Sequence, residues 1–405
     1  MSMNQTPRGE RTHIALFGRR NAGKSSVINA LTNQNLAIVS DVKGTTTDPV
    51  YKAMELLPLG PVVVIDTPGL DDVGELGQKR VEKTMEVLSK TDIAMVVVDS
   101  LEGIGNFEQE LLERIKKRTL PYIIVYNKKD LFDLSGKIDE KDSISVSAVT
   151  GEGIEELKER LGKLVPEESG KLQIVGDLLE PSDFVVLVVP IDKAAPKGRL
   201  ILPQQQTIRD ILEADATAIV VKEHELRETL LNLGKKPKMV ITDSQVFSKV
   251  AADTPTDILL TSFSILFARF KGDLEEEVRG VKAIDKLEDG ARILIAEGCT
   301  HHRQCDDIGT VKIPRWLSQY TGKRFHYETS SGNTFPSDLD KFDLVIHCGG
   351  CTLNRKEMKN RLSLIKAAGV PVVNYGILIA AIQGILKRSI EPFPLISMIL
   401  DEDDV

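Results

Sequence analysis

Two sets of residues in this 405-residue chain have the types and spacing that chemistry needs. Gly18-Arg19-Arg20-Asn21-Ala22-Gly23-Lys24-Ser25 fits GxxxxGKS. In that pattern the glycines let backbone N–H groups turn toward phosphate oxygens, the lysine reaches the outer phosphates, and the serine hydroxyl ligates Mg²⁺. The second set is Cys299-Thr300-His301 with His347-Cys348-Gly349-Gly350-Cys351. Thiolates at the Cys348 and Cys351 spacing can hold one zinc ion or adjacent corners of an iron–sulfur cluster. A nucleotide loop and a metal-type cysteine set on one chain predict that nucleotide state controls the loading or delivery of a metal centre.

Further polar residues follow in the order a nucleotide site requires. Asp66-Thr67-Pro68-Gly69 supplies a carboxylate that can hold Mg²⁺ through water. In Asn127-Lys128-Lys129-Asp130, the Asp130 carboxylate can accept from both the ring N–H and the amino group of guanine. Adenine lacks that donor pair, so the expected ligand is GTP or GDP. Ser147 and Ala148 would contact the base from its other side. The nucleotide-contacting set is therefore Gly18, Asn21, Ala22, Gly23, Lys24, Ser25, Ser26, Asp66, Gly69, Asn127, Lys128, Asp130, Ser147 and Ala148. Between the loop and Asp66 lies Gly44-Thr45-Thr46-Thr47-Asp48.

Together these elements resemble the Era and MnmE branch of translation-factor-like GTPases. The resemblance implies that Thr46 joins Ser25 at Mg²⁺, that Asn21 binds K⁺ beside the phosphates, and that Lys24, Thr46, Asp66 and Glu75 form the catalytic set. Glu75 stands roughly where that branch has a water-activating acid, and a solvated surface glutamate fits it equally well. Leu70 occupies the place of the water-orienting glutamine of Ras-like enzymes. Hydrolysis is therefore expected to be slow and K⁺-stimulated. Arg20 departs from the branch, which usually has proline there.

The cysteines Cys299, Cys305, Cys348 and Cys351 all lie in the last third of the chain, with His301, His302, His326 and His347. In a reducing compartment, clustered cysteines bind metal more often than they form disulfides. A zinc site completed by Cys305 or a histidine stays open beside the iron–sulfur reading, with His301 and His347 as further candidate ligands. With the GTPase motifs, the pattern Cys-x-His followed by His-Cys-x-x-Cys resembles the HydF family of FeFe-hydrogenase maturation GTPases over essentially the whole chain. The resemblance implies a 4Fe–4S cluster on Cys299, Cys348 and Cys351 with an exchangeable fourth position, Cys305 lying outside the motif. It implies a scaffold that receives a diiron precursor from two radical-SAM maturases and passes it to apo-hydrogenase. It also implies a homodimer through the middle domain. A tRNA-modification GTPase and a zinc-binding regulatory GTPase are the alternative readings.

The elements that position these residues are apolar runs ending in polar residues. Residues 14–17 enter the glycine loop, 62–65 run into Asp66, 94–98 into Asp99, and 122–126 into Asn127. Such runs mark strands of a parallel sheet buried on both faces, whose carboxyl ends bind ligands. Runs at 184–189, 218–221 and 239–241 belong to a middle segment, and those at 292–296, 344–346 and 370–374 to a third. Cys299 and Cys348 each follow one of these last strands. The expected fold is α/β: a P-loop GTPase domain at 1–168, then two α/β units with mostly parallel sheets at 169–275 and 276–405. The apolar stretches 184–189 and 258–270 add to the expectation of a homodimer built largely by the middle domain.

Net charge is −8, which opposes nucleic-acid binding through counterion release. Residues 1–11 lack the apolar core of a signal peptide, and no apolar run is long enough to span a bilayer. The expected location is the cytoplasm, with no membrane partner.

Overall fold

The structure, a computed structural model, describes residues 6–32, 49–67, 75–134, 138–139, 141–165, 173–190, 200–298, 307–332 and 335–401, without the side chains of 75–82 and 401. The chain forms two compact units, Met1–Ser169 and Gly170–Val405.

The first unit is built on a six-stranded sheet. Its strands are β1 (Thr12–Phe17), β2 (Val50–Leu56), β3 (Gly60–Asp66), β4 (Ile93–Asp99), β5 (Tyr122–Asn127) and β6 (Ser143–Ser145), in the order β2-β3-β1-β4-β5-β6. All neighbours are parallel except β2, which runs antiparallel to β3 at the edge. Alternation along each strand feeds two cores. Ile14 and Leu16 pack with Val27, Leu31, Leu157 and Leu161 from helices Lys24–Thr32 and Ile154–Leu164. Ala15 and Phe17 point the other way, to Val87 of helix Glu75–Lys90 and to Leu111 and Ile115 of helix Asn106–Lys117. Each fully buried Val, Leu, Ile or Phe among them contributes about 1.5–3 kcal/mol of transfer free energy. This double burial is why the strands read as unbroken apolar runs, and it fixes the strand ends that carry the polar residues.

The second unit holds two four-stranded sheets, both wholly parallel. One has the order β10-β9-β7-β8, with β7 (Phe184–Val188), β8 (Thr217–Val221), β9 (Met239–Thr242) and β10 (Leu259–Ser262). The other has the order β12-β11-β13-β14, with β11 (Arg292–Glu297), β12 (His326–Ser331), β13 (Leu344–His347) and β14 (Val372–Asn374). One continuous apolar core joins them, from Val186 and Ile241 through Leu266 and Phe267 to Ile295 and Ile346. The apolar stretches at 184–189 and 258–270 lie largely inside this core as β7, β10 and helix Phe263–Lys271. Their hydrophobicity is therefore used within the chain. The exposed apolar side chains around this sheet are instead Leu212, Val220 and Leu231, and Val220 sits on the edge strand β8. No helix among the described residues is long and apolar enough to cross a membrane.

Candidate functional site

The glycine loop leaves β1 and enters helix Lys24–Thr32, the strand-to-helix setting that aims backbone N–H groups and a helix N-terminus at phosphate. Gly18 cannot be replaced there: a Cβ would lie 2.2 Å from Val97 O on β4. The Lys24 ammonium is buried and spans its own loop, donating to Gly18 O and Arg19 O at 2.8 Å each. Ser25 Oγ donates to Asp66 Oδ2 at 3.0 Å, so the two proposed Mg²⁺ groups meet across β1 and β3. Burial pushes the Asp66 carboxyl up from its ordinary range, against the pull of Ser25 and Lys24.

Asn127 ties the glycine loop to the loop after β6. Its Nδ2 donates to Ala22 O at 3.1 Å, and its Oδ1 accepts from Ala148 N at 3.1 Å. Asp130 is exposed, with Oδ1 accepting from Ser147 Oγ at 2.5 Å, while Ser147 Oγ accepts from Thr150 N at 3.1 Å. Lys128, in a left-handed conformation with φ 70°, pairs with Asp99 Oδ2 at 2.5 Å. The structure thus brings Asn127, Asp130, Ser147 and Ala148 into one network. Asn21 and Ser26 are exposed, and Asn21 adopts φ 63°. Arg20 is a surface residue, whereas Arg19 is anchored, donating to Glu108 Oε1 at 2.9 Å and Gly103 O at 2.6 Å. Thr46, Gly69 and Leu70 lie outside the described residues, as does the side chain of Glu75.

The cysteine loop follows β13. Cys348 N donates to Ala296 O at 2.9 Å, which prolongs the pairing of β13 with β11. Cys348 Sγ accepts from Gly298 N at 3.0 Å and Gly350 N at 3.4 Å. The loops after β11 and β13 touch because both carry glycine: a Cβ on Gly298 would lie 3.2 Å from Gly350 Cα and 2.8 Å from Leu353 Cγ. Cys348 and Cys351 form no disulfide with each other. Burial pushes the Cys351 thiol up, and the nearby Lys271 charge opposes that shift. Two thiols on a glycine-rich loop, one of them accepting two backbone N–H groups, are a donor set that fits thiolate ligation of iron or zinc. Gly298 immediately precedes Cys299, which lies outside the described residues with His301 and Cys305.

His347 is fully buried, and its environment differs from that of the thiols. Its Nδ1 lies 2.6 Å from Cys348 O, its ring stands 6.4 Å from that of Phe335, and Nε2 has no hydrogen-bond partner among the described residues. Burial, then the charge of Arg361, lowers its pKa to about 4, so it is neutral at pH 7. Among the described residues no group of three or more His, Cys, Asp or Glu converges as a metal ligand set. Two buried groups beside the thiols carry no motif signal. Glu297 ends β11 and accepts from Tyr375 Oη at 3.3 Å, and Lys271 donates into the cysteine loop. Burial raises the Tyr375 hydroxyl pKa well above its ordinary value, with Cys348, Glu297 and Asp307 adding to the shift.

Fold and loop geometry define a P-loop GTPase unit joined to a two-sheet α/β unit with a cysteine site. Residues 13–128 match a family model described as a 50S ribosome-binding GTPase. Residues 174–272 match the hydrogen maturase F dimerization domain, and 275–392 its tetramerization domain. These last two matches together span more than half of the chain, and the chain belongs to the hydrogen maturase F family. Its GTPase unit is similar to the tRNA modification GTPase MnmE of Chromobacterium violaceum, 37% identical over 160 residues, covering 38% of this chain and 35% of MnmE. GTPase Der of Kosmotoga olearia is 30% identical over 207 residues, covering 46% of each chain. The chain thus spans about a third of the MnmE relatives it matches and about half of Der. Among solved structures, Era of Aquifex aeolicus bound to GDP and aluminium fluoride aligns with TM-score 0.35 and 20% identity, over 52% of this chain and 92% of Era.

Proposed function

We propose that the chain is a GTP-hydrolysing scaffold that binds a 4Fe–4S cluster and carries the diiron precursor of the FeFe-hydrogenase cofactor to the apo-enzyme. The observation that supports this reading most is the contact between Gly298 N and Cys348 Sγ, which joins the loop entering Cys299 to the loop holding Cys348 and Cys351. Those three cysteines are the proposed ligands. Held there, a cluster would supply an iron coordination position for the diiron cargo. The protein's own contribution is to hold the half-buried thiols at two touching strand ends. The proposed partners are apo-hydrogenase and two radical-SAM maturases, in the cytoplasm. Similarity to MnmE covers 38% of this chain, whereas residues 174–272 and 275–392 match the two hydrogen maturase F domains. Anaerobic loading with iron and sulfide tests the cluster: a chain that binds neither contradicts the reading.

In the GTPase unit, Lys24 would neutralise charge on the outer phosphates, Ser25 and Thr46 would ligate Mg²⁺, and Asp66 would hold it through water. Asp130 would read guanine. Asp130→Asn is expected to shift preference from GTP toward xanthosine triphosphate, because the amide can donate to the xanthine oxygen. Competition binding with the two nucleotides checks this, and unchanged discrimination contradicts it.

A homodimer would form at β8. Among the described residues β8 is the edge strand of its sheet and carries the exposed Val220, and Leu212 and Leu231 are exposed nearby in sequence. An exposed apolar edge is a template for pairing with a second copy. Val220→Lys is expected to shift the chain from dimer to monomer at micromolar concentration in sedimentation velocity, with unchanged helix content. A dimer that persists would place the interface elsewhere.

A further inference from the structure

Helix Phe263–Lys271 follows β10 directly and ends on Lys271. A lysine in a last helical turn ordinarily reaches water, but this one is 2% exposed. Its ammonium donates to three carbonyls of the cysteine loop: Leu353 O at 2.9 Å, Cys351 O at 3.0 Å and Gly350 O at 3.4 Å. An ammonium has three N–H donors, matching these three contacts. The ring of Phe267, one turn earlier, lies 5.6 Å from Nζ. The donor therefore stands on the segment that closes the first sheet of this unit, and its acceptors stand on the loop leaving β13 of the second. Lys271 holds the cysteine loop from outside that loop's own sheet.

We propose that Lys271 is a positioning residue of the cysteine site: it fixes the Cys348–Cys351 loop and, as a buried positive charge, raises the reduction potential of an iron–sulfur centre bound there. The inference rests on the cluster-binding reading above. One-electron reduction adds one negative charge to such a centre. A fixed cation beside it favours the more negative form, and does so strongly where water is excluded. Three bonds to carbonyls within four residues of the loop, those of Gly350, Cys351 and Leu353, also define where the two thiols sit, so the same side chain acts through geometry and through charge.

The test uses the full chain, loaded anaerobically with iron and sulfide, and a redox titration with dithionite read by EPR. Lys271→Gln and Lys271→Met both remove the charge. Each is expected to lower the reduced-to-oxidised ratio at a fixed potential by at least tenfold, a midpoint about 59 mV more negative for one electron. Lys271→Arg keeps the charge and is expected to titrate with the wild type. Either neutral variant decides the question if the other is insoluble. A neutral variant whose cluster titrates at the wild-type potential overturns the proposal, whatever its iron content. A wild-type chain that takes up no cluster is a different result: it overturns the cluster reading itself, and this proposal with it.

Discussion

Lys24→Ala is expected to lower GTP turnover by about 10²–10³-fold, the usual loss when one preorganised charge-stabilising donor is removed. The reason lies in what Lys24 touches. Its buried ammonium bridges Gly18 O and Arg19 O, so it is already held at the loop that would cradle the phosphates. Charge accumulates on the phosphoryl oxygens during transfer, and alanine leaves nothing to meet it. The two loop carbonyls also lose their donor, a local cost of about 1–3 kcal/mol if they stay buried. Turnover by the wild type is expected to be faster in K⁺ than in Na⁺ at equal ionic strength, through Asn21, and the variant is expected to show the same large loss in both salts. Phosphate release under saturating GTP measures this. Near wild-type turnover in Lys24→Ala would show that the glycine loop is not the hydrolytic site.

Cys348→Ala is expected to remove bound iron and all maturation activity while GTP turnover persists. The thiol is the acceptor for Gly298 N and Gly350 N, so its loss withdraws a ligand and also the contact that joins the two strand-end loops. The nucleotide residues belong to the Met1–Ser169 unit, with their own sheet and their own cores. Iron and sulfide content, measured beside GTP turnover on the same preparation, separates the two activities. Retained iron at the wild-type level would remove Cys348 from the ligand set.

Much of this site was legible because motif and strand end coincide. The apolar runs before Gly18, Asp66, Asn127 and Cys348 are β1, β3, β5 and β13, and each delivers its polar residue to a carboxyl end. Strand β2 was not read, since its half-exposed alternation of Tyr51, Lys52, Ala53 and Met54 at a sheet edge produces no continuous apolar run. The stretches 184–189 and 258–270 are weak evidence for a dimer, because hydrophobicity alone does not distinguish a core from an interface. The structure folds them into the core. Lys271 carried no signal: a lysine after Phe270 reads as a solvated helix end, and only the packing of two sheets buries it against the cysteine loop. His347 was conspicuous in the motif, yet its ring packs with Phe335 and near the Arg361 charge. The double role of Asn127, bonded to both Ala22 and Ala148, is likewise a tertiary fact that spacing does not encode.

The central claim is that a GTPase and an iron–sulfur site share this one chain. Purification under anaerobic conditions, followed by iron, sulfide and zinc analysis with EPR of the dithionite-reduced sample, addresses it most directly. The expected result is iron and acid-labile sulfide at about four each per chain, with a cluster signal after reduction. Stoichiometric zinc without sulfide, in a preparation that still hydrolyses GTP, would contradict the account.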